Sequence, residues 1–258
     1  MEGRKYFIDC ARAMCMLYIV GFWHLIPYID KGIQSLLTRK ITYGVLAVFT
    51  FISGYLLGSK KVQDHKDCLI FYIRRLLTFY PLFVIAAALM WYIGYIKNFR
   101  EWLFTVLGLS GIISPAAVTL WYLCMLMLFY LVTPLVNFCH KVPVKIILIL
   151  TIMTVLLLFT HITGLDERYW FYWCFYGAGI LMSGRISAQA NLYLLVLSPI
   201  VFAIISLNIG DAPLKYHFIP CICVLVFALN LGGVLAKNVL FAILAKNKLC
   251  KHVRISFS

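Results

Sequence analysis

Phe7 to Tyr28 reads FIDCARAMCMLYIVGFWHLIPY, and this stretch decides the fold class. It is apolar over a length that crosses a bilayer, for which a helix needs about 20 predominantly apolar residues. Three ionisable residues lie inside it: Asp9, Arg12 and His24. Ionisable groups within a membrane helix are costly and usually face a bundle interior or a water-filled cavity. Asp9 and Arg12 are three apart and can pair along one helix face. From Asp9 to His24 the helix axis covers about 22 Å. Two readings of this helix alone stay open. One is an intramembrane functional set, in which a neutral imidazole near pH 7 serves as general base or carries an acyl group transiently. The other is a neutralised Asp9–Arg12 pair at headgroup level, with His24 wet at the opposite interface. The internal charges, and the lack of a small-residue cleavage site before a polar domain, argue against a cleaved signal peptide.

The rest of the chain has the same character. Hydrophobic residues make up 64% of the 258 and charged residues 12%, and the mean hydropathy is +0.95. Such a composition excludes an ordinary soluble domain. The expected fold class is all-α, a polytopic transmembrane helical bundle forming one domain over residues 1–258. Hydropathy divides it into eight complete spans: Phe7–Tyr28, Ile41–Gly58, Ile73–Ile96, Leu120–Phe138, Ile146–Ile162, Tyr169–Ser183, Tyr193–Ile209 and Phe218–Ala236. The stretch Leu103–Ile113 is too short to span, so it is expected to lie at the interface or re-enter. In the sixth span, Gly177 and Gly179 permit close helix packing.

Loop charge supplies an orientation. With a cytoplasmic N-terminus, 15 basic residues fall inside and 7 outside, and Arg12 within the first span completes the 23. The positive-inside rule favours that orientation. The net charge of +14 is then explained by topology and anionic lipid headgroups, with no nucleic acid required. Nine cysteines lie mostly in apolar runs, where cysteine behaves as a small hydrophobe. No spacing organises a metal, and none is expected.

Two further features carry possible chemistry. Arg74 and Arg75, in FYIRRLLTFYP, open the third span beside Lys60, Lys61 and Lys66. Arginine's planar fork suits phosphate, and adjacent arginines also serve as interfacial anchors. FISGYLLG, Phe51–Gly58, ends the second span, and Leu120-Trp121-Tyr122-Leu123 opens the fourth. Ser53 and Gly54 let backbones approach, Trp121 and Tyr122 suit an interface belt, and both features are compatible with plain packing.

Taken in order, these segments resemble the acyltransferase-3 family of bacterial integral membrane acyltransferases. IDCARAMCMLYIVGFWH resembles its first helix, FTFISGYLL its second, RRLLTFYPLF its arginine motif, LWYLCMLMLFYLVTPLV its tryptophan-bearing helix and HVRISFS the start of a later one. The resemblance implies an enzyme of the bacterial inner membrane. It would move an acyl group, typically acetyl, from cytoplasmic acyl-CoA to a sugar hydroxyl of a surface or lipid-linked glycan. It implies His24 as the essential histidine, with Arg12 and Asp9 beside it, and Arg74 and Arg75 as holders of the CoA donor. Ser53 and Trp121 are then structural or substrate-lining. No permanently bound cofactor is implied.

Three departures from the family pattern stand out. The family usually places ten residues between its basic residue and its histidine, whereas eleven separate Arg12 from His24. On an unbroken α-helix the extra residue turns His24 by about 100°, unless a bulge absorbs it. Thr78 stands where a third arginine is common. The family fold has ten spans, and this sequence ends at Ser258 where a ninth would begin, so a truncated, inactive member is one alternative. A transporter or flippase for a lipid-linked sugar is another; no pair of Gly/Pro-broken spans recurs in two halves to support it.

Overall fold

In the computed structural model, residues 6–24, 35–60, 62–110, 120–186 and 191–237 are described, and every regular element among them is a helix. Helix α1, Tyr6–Met16, continues into a π-helical segment, Leu17–His24. Then follow α2 (Leu36–Gly58), α3 (His65–Tyr92), α4 (Phe99–Val106), α5 (Trp121–Phe138), α6 (Val142–Thr163), α7 (Arg168–Met182) and α8 (Leu192–Ile209). A 3-10 turn, Leu214–His217, leads into α9, Phe218–Lys237. The all-α polytopic bundle expected from composition is what is observed.

Local chemistry sets the helix ends. Asp64 accepts from the Asp67 N–H at 2.8 Å and Asn98 from the Glu101 N–H at 2.8 Å. Each fills one of the donors that a helix start leaves open. Gly164, at φ 72°, ends α6 in a left-handed conformation that favours glycine. Inside the apolar helices, hydroxyls bond back to the carbonyl four residues earlier, as for Thr50 to Leu46 and Thr133 to Phe129, both at 2.8 Å. Lipid offers no hydrogen-bond partner, so polar groups must be satisfied internally.

The count of spans needs correction. Among the described residues six helices are long and apolar enough to cross a membrane, and α3, bent by 40° between Thr78 and Tyr80, makes a seventh if its two arms count as one span. Pro81 lies in that helix, where it removes a hydrogen bond and crowds the preceding turn. The expected span Tyr169–Ser183 is instead α7, whose 15 residues cover about 22 Å against a hydrocarbon core of about 30 Å. Its Tyr169, Phe171, Tyr172, Trp173, Phe175 and Tyr176 are buried in protein. The aromatic run there is packed into protein on a helix shorter than a usual span. Of Leu103–Ile113, the part up to Ser110 is described and carries only the end of the short helix α4.

The described residues form two compact units, one from residues up to 56 with those from 174 onward, the other from residues 57–173. In the first unit α9 runs against α1. A Cβ on Gly232 would stand 2.4 Å from the Phe7 carbonyl oxygen. The Tyr18 hydroxyl, on the π-helical segment, donates to the Thr38 carbonyl at 3.1 Å and meets the Thr42 hydroxyl at 3.2 Å. Gly44 faces Val224 near the start of α9. The Lys40 ammonium donates to the Ser206 carbonyl, in the last turn of α8, at 2.5 Å. The π-helical segment at Tyr18 therefore lies against the start of α2, which also meets the start of α9 and the end of α8. Lower in the same unit, Gly54 and Gly179 interlock. A Cβ on Gly54 would meet the Tyr176 carbonyl oxygen at 2.1 Å, and one on Gly179 the Phe51 carbonyl oxygen at 2.2 Å. The small residues anticipated at 54 and 179 are thus each other's neighbours.

The second unit is built on α3, α4, α5 and α6 with the start of α7. Phe83, Ala87, Val106, Leu120 and Cys124 form a buried cluster. The Trp173 indole N–H donates to the Ile149 carbonyl at 3.0 Å, and its ring stands edge-on to Phe129 at 5.2 Å. The Asn137 amide donates to the Leu57 carbonyl at 2.9 Å, satisfying one of the carbonyls left open at the end of α2.

Candidate functional site

The sequence-selected residues fall in both units. Asp9, Arg12, His24 and Ser53 belong to the first, Arg74, Arg75 and Trp121 to the second.

Asp9 and Arg12 are half-buried on α1, and His24 is the last residue of the π-helical segment. The winding matters because of the spacing. Twelve α-helical steps leave two residues about 120° apart around the axis, whereas eleven leave them about 20° apart. A π-turn closes from i to i+5 rather than i to i+4 and so takes in one extra residue; such turns are frequent at functional sites. The π-helical segment Leu17–His24 lies between the two residues, where its wider winding takes up one residue of the longer spacing. Tyr18 anchors this segment on α2 through Thr38 and Thr42.

Ser53 donates its hydroxyl to the Phe49 carbonyl at 2.9 Å, so it is engaged on its own helix beside the Gly54 contact. Above that level, a cavity of about 290 Å³ opens among α1, α2, α8 and α9. It is lined by apolar groups including Cys15, Val45, Phe202 and Val224, with Tyr18 on its wall.

In the second unit the arginines of α3 act on a third cation. Lys60, in the turn after α2, has its ammonium pushed down to about 8, first by burial and then by the charges of Arg75 and Arg74. The guanidinium of Arg75 lies 5.6 Å from the centre of the Tyr130 ring and 5.8 Å from that of Phe71, which orients it through cation–π attraction. Arg74 is exposed. The arrangement concentrates positive charge, and such a cluster favours an anion with several oxygens. The sequence sets Lys60 beside Arg74 and Arg75 together with Lys61 and Lys66, and nothing in it singles Lys60 out.

Trp121 is built into a second polar feature of the same unit. Arg168 places its guanidinium 3.9 Å from the centre of the Trp121 ring and is held there by Asp166, which accepts from Nε at 2.7 Å and from the Arg168 N–H at 2.9 Å. Burial would raise the Asp166 carboxyl, but the hydrogen bonds and charge of Arg168 outweigh it and hold the group below its ordinary value. The Tyr172 ring lies 6.1 Å from Trp121 and 6.3 Å from Tyr122. Sequence reasoning found Trp121 but not its partner, because Arg168 lies 47 positions later and reads as a loop charge.

A third group was missed altogether. Lys40, Ser206 and His217 are each almost fully buried where the start of α2 meets the end of α8 and the start of α9. The available signal was Arg39-Lys40 opening an apolar run. Successive helix residues point about 100° apart, so one of two adjacent cations there tends to face inward. The motif-like HVRISFS lies outside the described residues.

Among known protein families, the acyltransferase-3 model, described as an acyltransferase domain, matches residues 5–251. No curated protein and no solved structure matches. The family match takes in α1 with its π-helical segment, the arginines of α3 and the tryptophan of α5. The chain, a multi-pass helical membrane protein, therefore belongs to the acyltransferase-3 family.

Proposed function

We propose that this protein is a membrane O-acyltransferase that moves an acyl group, acetyl in the simplest case, from cytoplasmic acyl-CoA to a sugar hydroxyl of a surface or lipid-linked glycan. Its N-terminus is cytoplasmic and the membrane is the bacterial inner membrane. Lys60, Arg74 and Arg75 receive the phosphates of the CoA donor. His24, with Arg12 and Asp9 on the same helix, takes the proton of the acceptor hydroxyl or carries the acyl group in transit. In the overall exchange the thioester C–S bond breaks, an ester C–O bond forms, and the hydroxyl proton ends on the CoA thiol.

The observation that carries this reading is the π-helical insertion between Arg12 and His24. It supports this reading because a wider winding between the two residues takes up the one residue by which their spacing exceeds the family pattern. The experiment is acylation of surface glycan in cells producing the native chain or His24→Ala, with acyl-CoA consumption followed in membranes. Loss of both signals in His24→Ala is expected. Full acylation by His24→Ala would remove His24 from the chemistry, and a native chain that moves sugar without acyl transfer would support a transporter.

A further inference from the structure

From the group where the start of α2 meets the end of α8, we infer that Lys40, Ser206 and His217 form a binding site for a hydroxyl group of a neutral polyol, the class to which a sugar acceptor belongs. The inference rests on the acyltransferase reading only for the identity of that polyol as the acceptor.

Three helical elements converge on the site. Lys40 is 2% exposed, Ser206 2% and His217 3%. The Lys40 ammonium donates to the Ser206 carbonyl at 2.5 Å. That carbonyl belongs to the last turn of α8, where carbonyls lack intrahelical partners and the helix dipole favours a cation. The contact fixes the ammonium and uses one of its three donors. His217 lies near enough for the charges of Lys40, Arg39 and Asp211 to act on it, and its ring packs 5.7 Å from that of Tyr43.

The unused hydrogen-bonding capacity identifies the ligand. His217 Nε2 lies 3.0 Å from the Ala212 carbonyl oxygen. A carbonyl only accepts, so Nε2 carries the proton, and in neutral imidazole Nδ1 is then a bare acceptor. That Nδ1 is buried and, among the described residues, has no hydrogen-bond partner, and neither does the buried Ser206 hydroxyl. Its neighbour in α8 behaves otherwise, since the Ser198 hydroxyl bonds back to the Leu194 carbonyl at 2.6 Å. The site therefore offers donors from Lys40 and Ser206 and an acceptor from His217. A hydroxyl group both donates and accepts, and matches the set. A carboxylate cannot donate to Nδ1 and matches less well, and an inorganic phosphate can do so only through its P–OH. Polar groups left buried without partners are costly, so occupancy is favoured. At the rim, Arg39 and Asp211 form an exposed ion pair at 2.6 Å, which keeps this end of the unit polar.

Nitrogen-15 NMR of the full-length chain in detergent, labelled in its histidine rings, tests the site without using activity. The chain has six histidines, so His217→Gln assigns the His217 signals. Glucose is the probe and inorganic phosphate the comparator. Glucose should shift the Nδ1 resonance of His217, and its apparent dissociation constant should rise about tenfold in Ser206→Ala, which leaves the α8 backbone whole, and in Lys40→Met. Thermal melting of the variants checks that they fold. No response to glucose, a response unchanged in both variants, or a response to phosphate alone would overturn the site. Loss of the glucose response while acylation still depends on His24 would sink this inference and leave the enzyme reading standing. The reverse pattern would leave a sugar site in a protein of another activity.

Discussion

Arg12 and His24 stand on one continuous helix whose winding changes from α to π at Leu17, between them. Twelve plain α-helical steps would set them about 120° apart and eleven about 20° apart. Deleting Ile19 should therefore restore plain α-winding with His24 on the Arg12 face, and acyl transfer should stay within about tenfold of native. Inserting an alanine at the same point adds a further step of about 100° and should abolish transfer. A deletion that is as damaging as the insertion would show that the π-winding itself, rather than the register, is what matters.

Lys60 gives the donor side a pH dependence. Its lowered value means that it is a cation below about pH 8 and neutral above. An anion bound to the Lys60–Arg74–Arg75 cluster favours the protonated form, so acyl-CoA affinity should fall as pH rises through that value. Titrating acyl-CoA binding from pH 6.5 to 9.5 checks the sign. Lys60→Met should flatten the profile and weaken binding about tenfold, the scale of one charge-assisted hydrogen bond.

Much of this architecture is legible in the sequence, and the exceptions have identifiable physical causes. The first, second and fourth spans and the contact capacity of Gly54 and Gly179 follow from apolar length and small residues. α7 misled because hydropathy cannot distinguish aromatic residues facing lipid from aromatic residues facing protein; Trp173 and Tyr172 are fully buried. α3 reads as one span because its apolar run is continuous, while the bend before Pro81 is a backbone event. Lys40 was hidden by Arg39, its exposed neighbour, which has the same charge and the opposite environment. His24 was found by its pattern, but the winding that sets its direction left only one trace in the sequence, the extra residue.

Gly54 and Gly179 should each resist even the smallest side chain. Alanine gains about 1 kcal/mol of helix propensity over glycine. Here its Cβ would sit 2.1 or 2.2 Å from a backbone oxygen, which cannot rotate away as a side chain can. Overpacking of this kind typically costs about 1–3 kcal/mol, so the clash prevails. Thermal melting in detergent should show both Gly54→Ala and Gly179→Ala below native, while Gly21→Ala, where nothing lies within 4 Å, should not show that packing loss.

The Asp166–Arg168–Trp121 arrangement should respond to acid. Because the Asp166 carboxyl is held below its ordinary value, the pair is intact at and above the usual carboxylate range. It is lost as pH falls through the lowered folded-state value, along with its contribution to stability. Trp121 fluorescence reports the departure of the guanidinium. The chain has six tryptophans, so the signal is the difference between native and Trp121→Phe. Asp166→Asn should show the acid-side signal already at neutral pH.

The winding of Leu17–His24 also bears on how relatives of this chain are recognised. A pattern that counts residues between a basic group and a histidine treats this helix as a mismatch, because the count is off by one. Counted in turns, the distance is preserved. An insertion that a loop would tolerate through slack is tolerated here by a wider hydrogen-bonded ring, so the helix persists through a change that ordinarily breaks its phase. For membrane enzymes whose reacting groups are mounted on a single span, the unit of correspondence between homologues is the turn.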